Sequence, residues 1–287
     1  MTPALSWGVV AAVLFGAFLH ASWNALIKSG PDKALDTALI HVLGCGVGAA
    51  MVVVVGLPSR ESLPWLAASV VIHIGYYVTL VGAYRHGDLG FAYPLMRGTA
   101  PLLVALTSGQ LIGEHVPFAV WLGVAAISGG VVAIGLTRSA RDSGSRRHAL
   151  GYALANAAII AAYTTVDGIG VRASGNAAQY VALLFLVDGL PYFTIVLWQR
   201  RHSLAPTFAT MRVRWPAALL GSCASMGAYG IALWAMTKAP IASVAALRET
   251  SVLFAAIIGT VLLKEGFGYA RLAGAASVVI GVAALKL

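Results

Sequence analysis

The chain has 287 residues, 59% of them hydrophobic and only 10% charged, with a mean hydropathy of +0.85 and a net charge of +9. A soluble domain carries about 25% charged residues. Apolar runs of membrane-spanning length recur from end to end, which argues against a soluble fold and predicts an all-α polytopic membrane protein. The basic residues cluster between the apolar runs, so the positive charge implies no nucleic-acid partner.

Ten spans are expected in chain order, over 4–27, 35–57, 63–84, 89–112, 117–137, 150–172, 178–198, 215–236, 241–263 and 268–287. The first apolar run has no basic residue before it and reads as a first span rather than a cleaved leader. The long polar connector is 138–149, Arg138 to Ala149, which divides the chain into five spans (1–137) and five more (150–287). The two cysteines, Cys45 and Cys223, fall inside spans, so neither a structural disulfide nor a metal site is expected. No cofactor motif is present. Of the 19 Lys and Arg, 13 follow the odd-numbered spans, 4 lie on the opposite side and 2 lie within spans. The basic side is expected to be cytoplasmic, with both termini outside it, in a cell (inner) membrane.

The second half repeats the first. From Leu89 to Leu136, 13 of 48 positions are identical to the residues 151 further on. Arg97 maps onto Arg248, Thr99 onto Thr250, Glu114 onto Glu265, Gly123 onto Gly274 and Gly130 onto Gly281. At an offset of 143, Gly8 maps onto Gly151, His20 onto Tyr163 and Asn24 onto Asp167. Five is an odd number, so two tandem five-span units enter the membrane from opposite sides and form inverted repeats.

Spans four and nine close on Leu111-Ile112-Gly113-Glu114 and Leu262-Leu263-Lys264-Glu265, and the spans after them carry Trp121-Leu122-Gly123 and Leu272-Ala273-Gly274. With the two five-span halves, this plan resembles the EamA family of the drug/metabolite transporter superfamily. The resemblance implies a transporter of small metabolites, often amino acids, with many members acting as exporters. The first-span stretch from His20 to Lys28, His-Ala-Ser-Trp-Asn-Ala-Leu-Ile-Lys, is similar to a subgroup associated with phosphonate utilisation. The chain departs from the family pattern at Arg97 and Arg248, where an apolar or small residue is usual.

Those two arginines are the leading site candidates. An unpaired Arg near the bilayer centre costs at least about 2.5–3.5 kcal/mol, so each must meet a carboxylate, a wet cavity or a substrate. They read either as paired clamps for a carboxylate, phosphate or phosphonate, or as structural salt bridges. Tyr93 shares the Arg97 face, ahead of Ala100, Val104 and Ser108, and Pro94 and Pro101 are expected to bend that helix. Three acids, Asp167, Asp188 and Glu249, also lie within spans. Against two arginines they leave one net negative charge, which fits a zwitterion as well as an anion. Asp188 reads as a counter-ion for an arginine or as a proton-coupling carboxylate. Asp167 and Glu249 read as charge-pairing or proton-coupling acids too, with Asp167, nearer a helix end, alternatively solvated. His20, Trp23 and Asn24 share a face, and His41 and His73 lie in spans two and three. Tyr77 and Tyr84 share the His73 face; Tyr229 reads as part of the opposite wall, and Trp234 either as part of that wall or as a residue of the interfacial aromatic belt. Glu114 and Glu265 are expected to hold helix ends, or to form a gate salt bridge. Gly44-x-x-x-Gly48 and Gly109-x-x-x-Gly113 have the spacing of helix-packing motifs. The expected partners are a small-molecule substrate, the bilayer and, as a lesser reading of the intramembrane acids and histidines, a coupling proton. The alternative class is a membrane-embedded enzyme, for which no nucleophile, metal or nucleotide motif appears.

Overall fold

The computed structural model describes residues 5–86, 89–136, 143–261 and 269–285. The described residues are helical without a strand: α1 Trp7–Ser29, α2 Lys33–Val55, α3 Leu63–His86, α4 Leu89–Thr107, α5 Phe118–Leu136, α6 Ser143–Ala173, α7 Ala177–Gln199, α8 Leu204–Met236, α9 Ile241–Arg248, α10 Ser251–Val261 and α11 Tyr269–Ala284. The Tyr84 side chain, Glu265 and residues 138–142 of the expected basic connector lie outside the described residues. Seven helical stretches are long and apolar enough to cross a membrane by length and composition. Helix α5 and α11 contain shorter apolar stretches, and α4 with its π-type turn Ser108–Ile112 fills the fourth expected span.

Polar caps set the helix ends. Ser6 accepts from the Val9 amide, Asp32 from Leu35 and Asn176 from Ala178, each satisfying one of the orphan amides of a first turn. Gly113 ends the fourth span in the left-handed region at φ 71°, where a side chain would be strained.

Three boundaries differ from expectation. Helix α8 begins at Leu204, not near 215, because Pro206 falls in its first turn, where a missing N–H costs little. Helix α6 begins at Ser143 and so occupies much of the expected connector. The ninth span is broken into α9 and α10 at Glu249–Thr250. There the ladder switches to i→i−3 bonds, from the Glu249 amide to Ala246 O at 3.0 Å and from Thr250 to Leu247 O at 3.1 Å. The Thr250 hydroxyl also donates to Leu247 O at 2.7 Å, competing with the helix for that carbonyl. Helix α4, by contrast, is one continuous helix that contains Pro94 and Pro101.

Helices pair across the two halves: α1 on α8, α2 on α7, α3 on α6 and α5 on α11. Small residues make these seams, since lipid supplies no hydrophobic drive between helices. A Cβ on Gly123 would lie 2.8 Å from Gly281 O, and one on Gly281 2.7 Å from Gly123 O. A Cβ on Gly130 would meet Gly274 O at 2.6 Å. Gly48 packs in the same way on Ala182 and Leu186 of α7. The Gly109–Gly113 spacing does not make such a seam: a Cβ on Gly113 would meet nothing within 4 Å, and its role is the helix-ending turn.

Candidate functional site

The break in the ninth span turns Glu249 toward α4. Its carboxylate takes both arms of Arg97, with Nε donating to Oε2 at 2.9 Å and NH2 lying 2.8 Å from Oε1 as an ion pair, off-line for a hydrogen bond. Arg97 is 7% exposed and Glu249 4%. Among the described residues the counter-ion of Arg97 is therefore Glu249, not Asp188. Tyr93, Tyr76 and Tyr163 stand around the pair.

Arg248 sits differently. Its guanidinium lies 5.0 Å from the centroid of the Tyr229 ring, a cation–π contact. Among the described residues no carboxylate lies within ion-pair distance of it. The hydroxyl of the same tyrosine donates to Asp167 Oδ2, in a short contact, while Tyr180 donates to Oδ1 at 2.9 Å. Asp167 is 0% exposed, so of its two readings the solvated one does not hold. Tyr180 of α7 and Tyr229 of α8 close over it near the end of α6. Ser69 and His73 of α3 stand on its other side.

His73 joins this group to the next acid. The Ser69 carbonyl, 2.9 Å away, can only accept, so His73 Nδ1 carries a proton, and Asp188 Oδ1 lies 3.6 Å from that nitrogen. The ring stacks on Tyr163 at 4.4 Å. Asp188 thus meets a histidine, not an arginine. His41 donates from Nδ1 to Thr37 O at 2.8 Å, and its ring faces Tyr77 at 6.2 Å and Tyr192 at 5.7 Å. Tyr77 and Tyr192 stack at 5.0 Å.

The α1 face is partly turned inward. His20 lies within electrostatic reach of both Arg97 and Arg248 and contacts the Trp23 ring at 5.3 Å. Among the described residues the buried Trp23 indole N–H meets no acceptor, whereas the Asn24 amide bends back to its own helix at His20 O, 2.7 Å away. Trp234 does not join this wall. It is 39% exposed and lines a separate cavity of about 410 Å³ with Arg172, Asn176, Thr237 and Lys238.

Sequence reasoning missed Tyr163, Tyr180 and Tyr192 as site residues. A positional signal was present for two of them: Tyr163 lies four residues before Asp167 and Tyr192 four after Asp188, on the same helical faces.

Ion pairs tie the bundle at both ends. On one side Glu114 accepts from the Ile241 amide, the first of α9, at 3.0 Å, and pairs with Arg172 at 2.6 Å. Arg172 also donates to Met236 O and Ala239 O. Glu114 thus caps the start of α9 and pairs with Arg172. On the basic side Asp32 meets Arg200 at 2.7 Å and Asp36 meets Arg214 at 2.9 Å. Partial burial pushes the Asp32 carboxyl up, but the Arg200 guanidinium and the Leu35 amide outweigh it and hold the group below its ordinary value.

This architecture, apolar helices around a buried polar cluster, defines a multi-pass membrane protein. Residues 148–287 match the EamA-like transporter family, part of the drug/metabolite transporter superfamily, so this half of the chain is an EamA-like domain and marks a membrane transporter of that type. No curated protein matches the chain by sequence. One solved crystal structure is similar to it over 96% of this chain and 94% of its own, at 17% identity and a TM-score of 0.71, a likeness of fold alone.

Proposed function

We propose that the protein is a secondary transporter for a small polar metabolite bearing a carboxylate, such as an amino acid or organic anion, with Arg248 as its anchor. The observation that carries this reading is Arg248 itself. It is a cation inside the bundle, held on an aromatic face, with no acid in ion-pair range among the described residues. The other intramembrane arginine is already neutralised by Glu249. Tyr229, His20, Trp23, Tyr93, His41, His73 and Tyr77 form the polar and aromatic surroundings from which the substrate takes its remaining contacts.

Alternating access about two inverted repeats, 1–137 and 150–287, fits this reading. Exchanging the halves turns the α1–α8 pairing into α6–α3 and leaves α2–α7 and α5–α11 unchanged, and all of these pairings occur. The repeat equivalents Gly123/Gly274 and Gly130/Gly281 meet reciprocally, Gly123 on Gly281 and Gly130 on Gly274, as a two-fold relation requires. The basic loops favour a cytoplasmic location for the Arg200 side and an outer location for both termini, in a cell inner membrane.

The test is counterflow in liposomes holding purified protein, with labelled glutamate, alanine and lactate loaded inside or outside to read both export and exchange. Movement of an unchanged molecule in the native protein, lost in R248Q, supports the reading. A chemically altered product would replace it with the enzyme alternative.

A further inference from the structure

Tyr229 touches two charged groups at once. Its ring face receives the Arg248 guanidinium at 5.0 Å, and its hydroxyl donates to the buried Asp167 carboxyl. Arg248 is the anchor of the function proposed above, and the present inference rests on that reading. Asp167 has no place in it so far, although it is fully enclosed and its two oxygens accept from two different tyrosines.

We propose that Asp167 is the site of a coupled proton, and that Tyr229 links its occupancy to the charge on Arg248. A cation on the ring polarises the hydroxyl and strengthens its bond to the carboxylate, which favours the ionised acid. An anion on Arg248 cancels that charge. The carboxylate then loses support and takes a proton from water to become a neutral acid that keeps its place in the hydrogen-bonded cluster. Anion and proton therefore bind cooperatively, and linkage makes the effect reciprocal: a proton on Asp167 tightens the anion. The two are carried together.

The groups that face Asp167 leave room for this behaviour. From α3 come Ser69 and His73, and from α6 its own neighbour Tyr163. From α7 comes Tyr180, and from α8 Tyr229. Arg248 at the end of α9 acts through the Tyr229 ring, and Glu249 is held by Arg97. Asp188 is one histidine away, beyond His73. Among the described residues no Lys or Arg lies within ion-pair distance of Asp167, so no fixed salt bridge locks it in the charged form.

The experiment is an infrared pH titration of the purified protein, read at the carboxylic-acid carbonyl band, with circular dichroism to confirm folding of every variant. A band belonging to Asp167 is expected, lost in D167N and moved in frequency in D167E, which serves if D167N does not fold. R248Q mimics neutralisation of the arginine by an anion. In R248Q the band should persist to a pH about one unit higher, a roughly tenfold gain in proton affinity. Y229F keeps the ring beneath Arg248 but removes the hydroxyl, and in that background the effect of R248Q should fall by half or more. Absence of an Asp167 band across the folded range would overturn the proposal, as would a band unmoved by R248Q. An R248Q shift of equal size with and without the Tyr229 hydroxyl would remove Tyr229 from the account. The titration needs no substrate, so its failure is separate from a failure of transport in liposomes.

Discussion

Replacing Glu249 by Gln removes one charge from the Arg97–Glu249 pair and leaves the other inside the bundle. Arg97 is 7% exposed and its guanidinium meets Glu249 twice, at 2.9 and 2.8 Å. Breaking a buried pair by removing one partner costs about 3–5 kcal/mol, because the remaining charge has lost both water and counter-ion. For a chain of this size that corresponds to a fall in apparent unfolding temperature on the order of 10 °C. The assay is thermal unfolding in detergent, comparing native protein, E249Q, R97Q and the double variant R97M/E249M. The double variant should recover most of the loss, since an apolar pair of similar volume often matches a buried ion pair. E249Q within about 1 kcal/mol of native would refute the pairing. A double variant that sums the two single losses would refute the coupling between them.

Two further outcomes follow from the packing and the end ties. Gly281→Ala places a Cβ 2.7 Å from Gly123 O and 2.9 Å from Ile127 N, both backbone, so it should destabilise by about 1–3 kcal/mol in a denaturant series. Gly129→Ala, with nothing within 4 Å of its added carbon, should cost nothing in the same series. Asp32 lies outside the spans with its carboxyl held below the ordinary 3.8, so its pairing with Arg200 contributes stability above that value and loses it as pH falls through the lower, folded-state value. The stability gap between native protein and D32N should therefore be open at neutral pH and close in strong acid. A gap that widened in acid would reverse the assigned sign.

Much of the fold was legible because hydropathy and charge follow the bilayer. The extents of the fourth and fifth spans, expected over 89–112 and 117–137, lie close to α4 with its π turn and to α5. The break in the ninth span was not legible from proline, because its cause is tertiary: Glu249 is drawn to an arginine 152 positions away in sequence. The repeat does carry a trace of it. Arg97 is followed by Gly98, which packs tightly on Ser128 and Val132 of α5, whereas Arg248 is followed by Glu249. The one carboxylate beside the two arginines therefore pairs with the one in the other half and leaves Arg248 without an ion pair among the described residues. The burial of Asp167 was not legible from its place near a helix end, because it depends on tyrosines that α7 and α8 bring to it.

The most direct test of Arg248 as the substrate anchor is a thermal-shift comparison of native protein and R248Q in detergent, against carboxylates, zwitterions, phosphonates and amines. A ligand present at 100 times its dissociation constant adds about 2.7 kcal/mol to the native state. The account predicts stabilisation by a carboxylate-bearing metabolite that vanishes in a folded R248Q. Stabilisation by amines alone, retained in R248Q, would contradict it and move the binding site to Asp167 and Asp188.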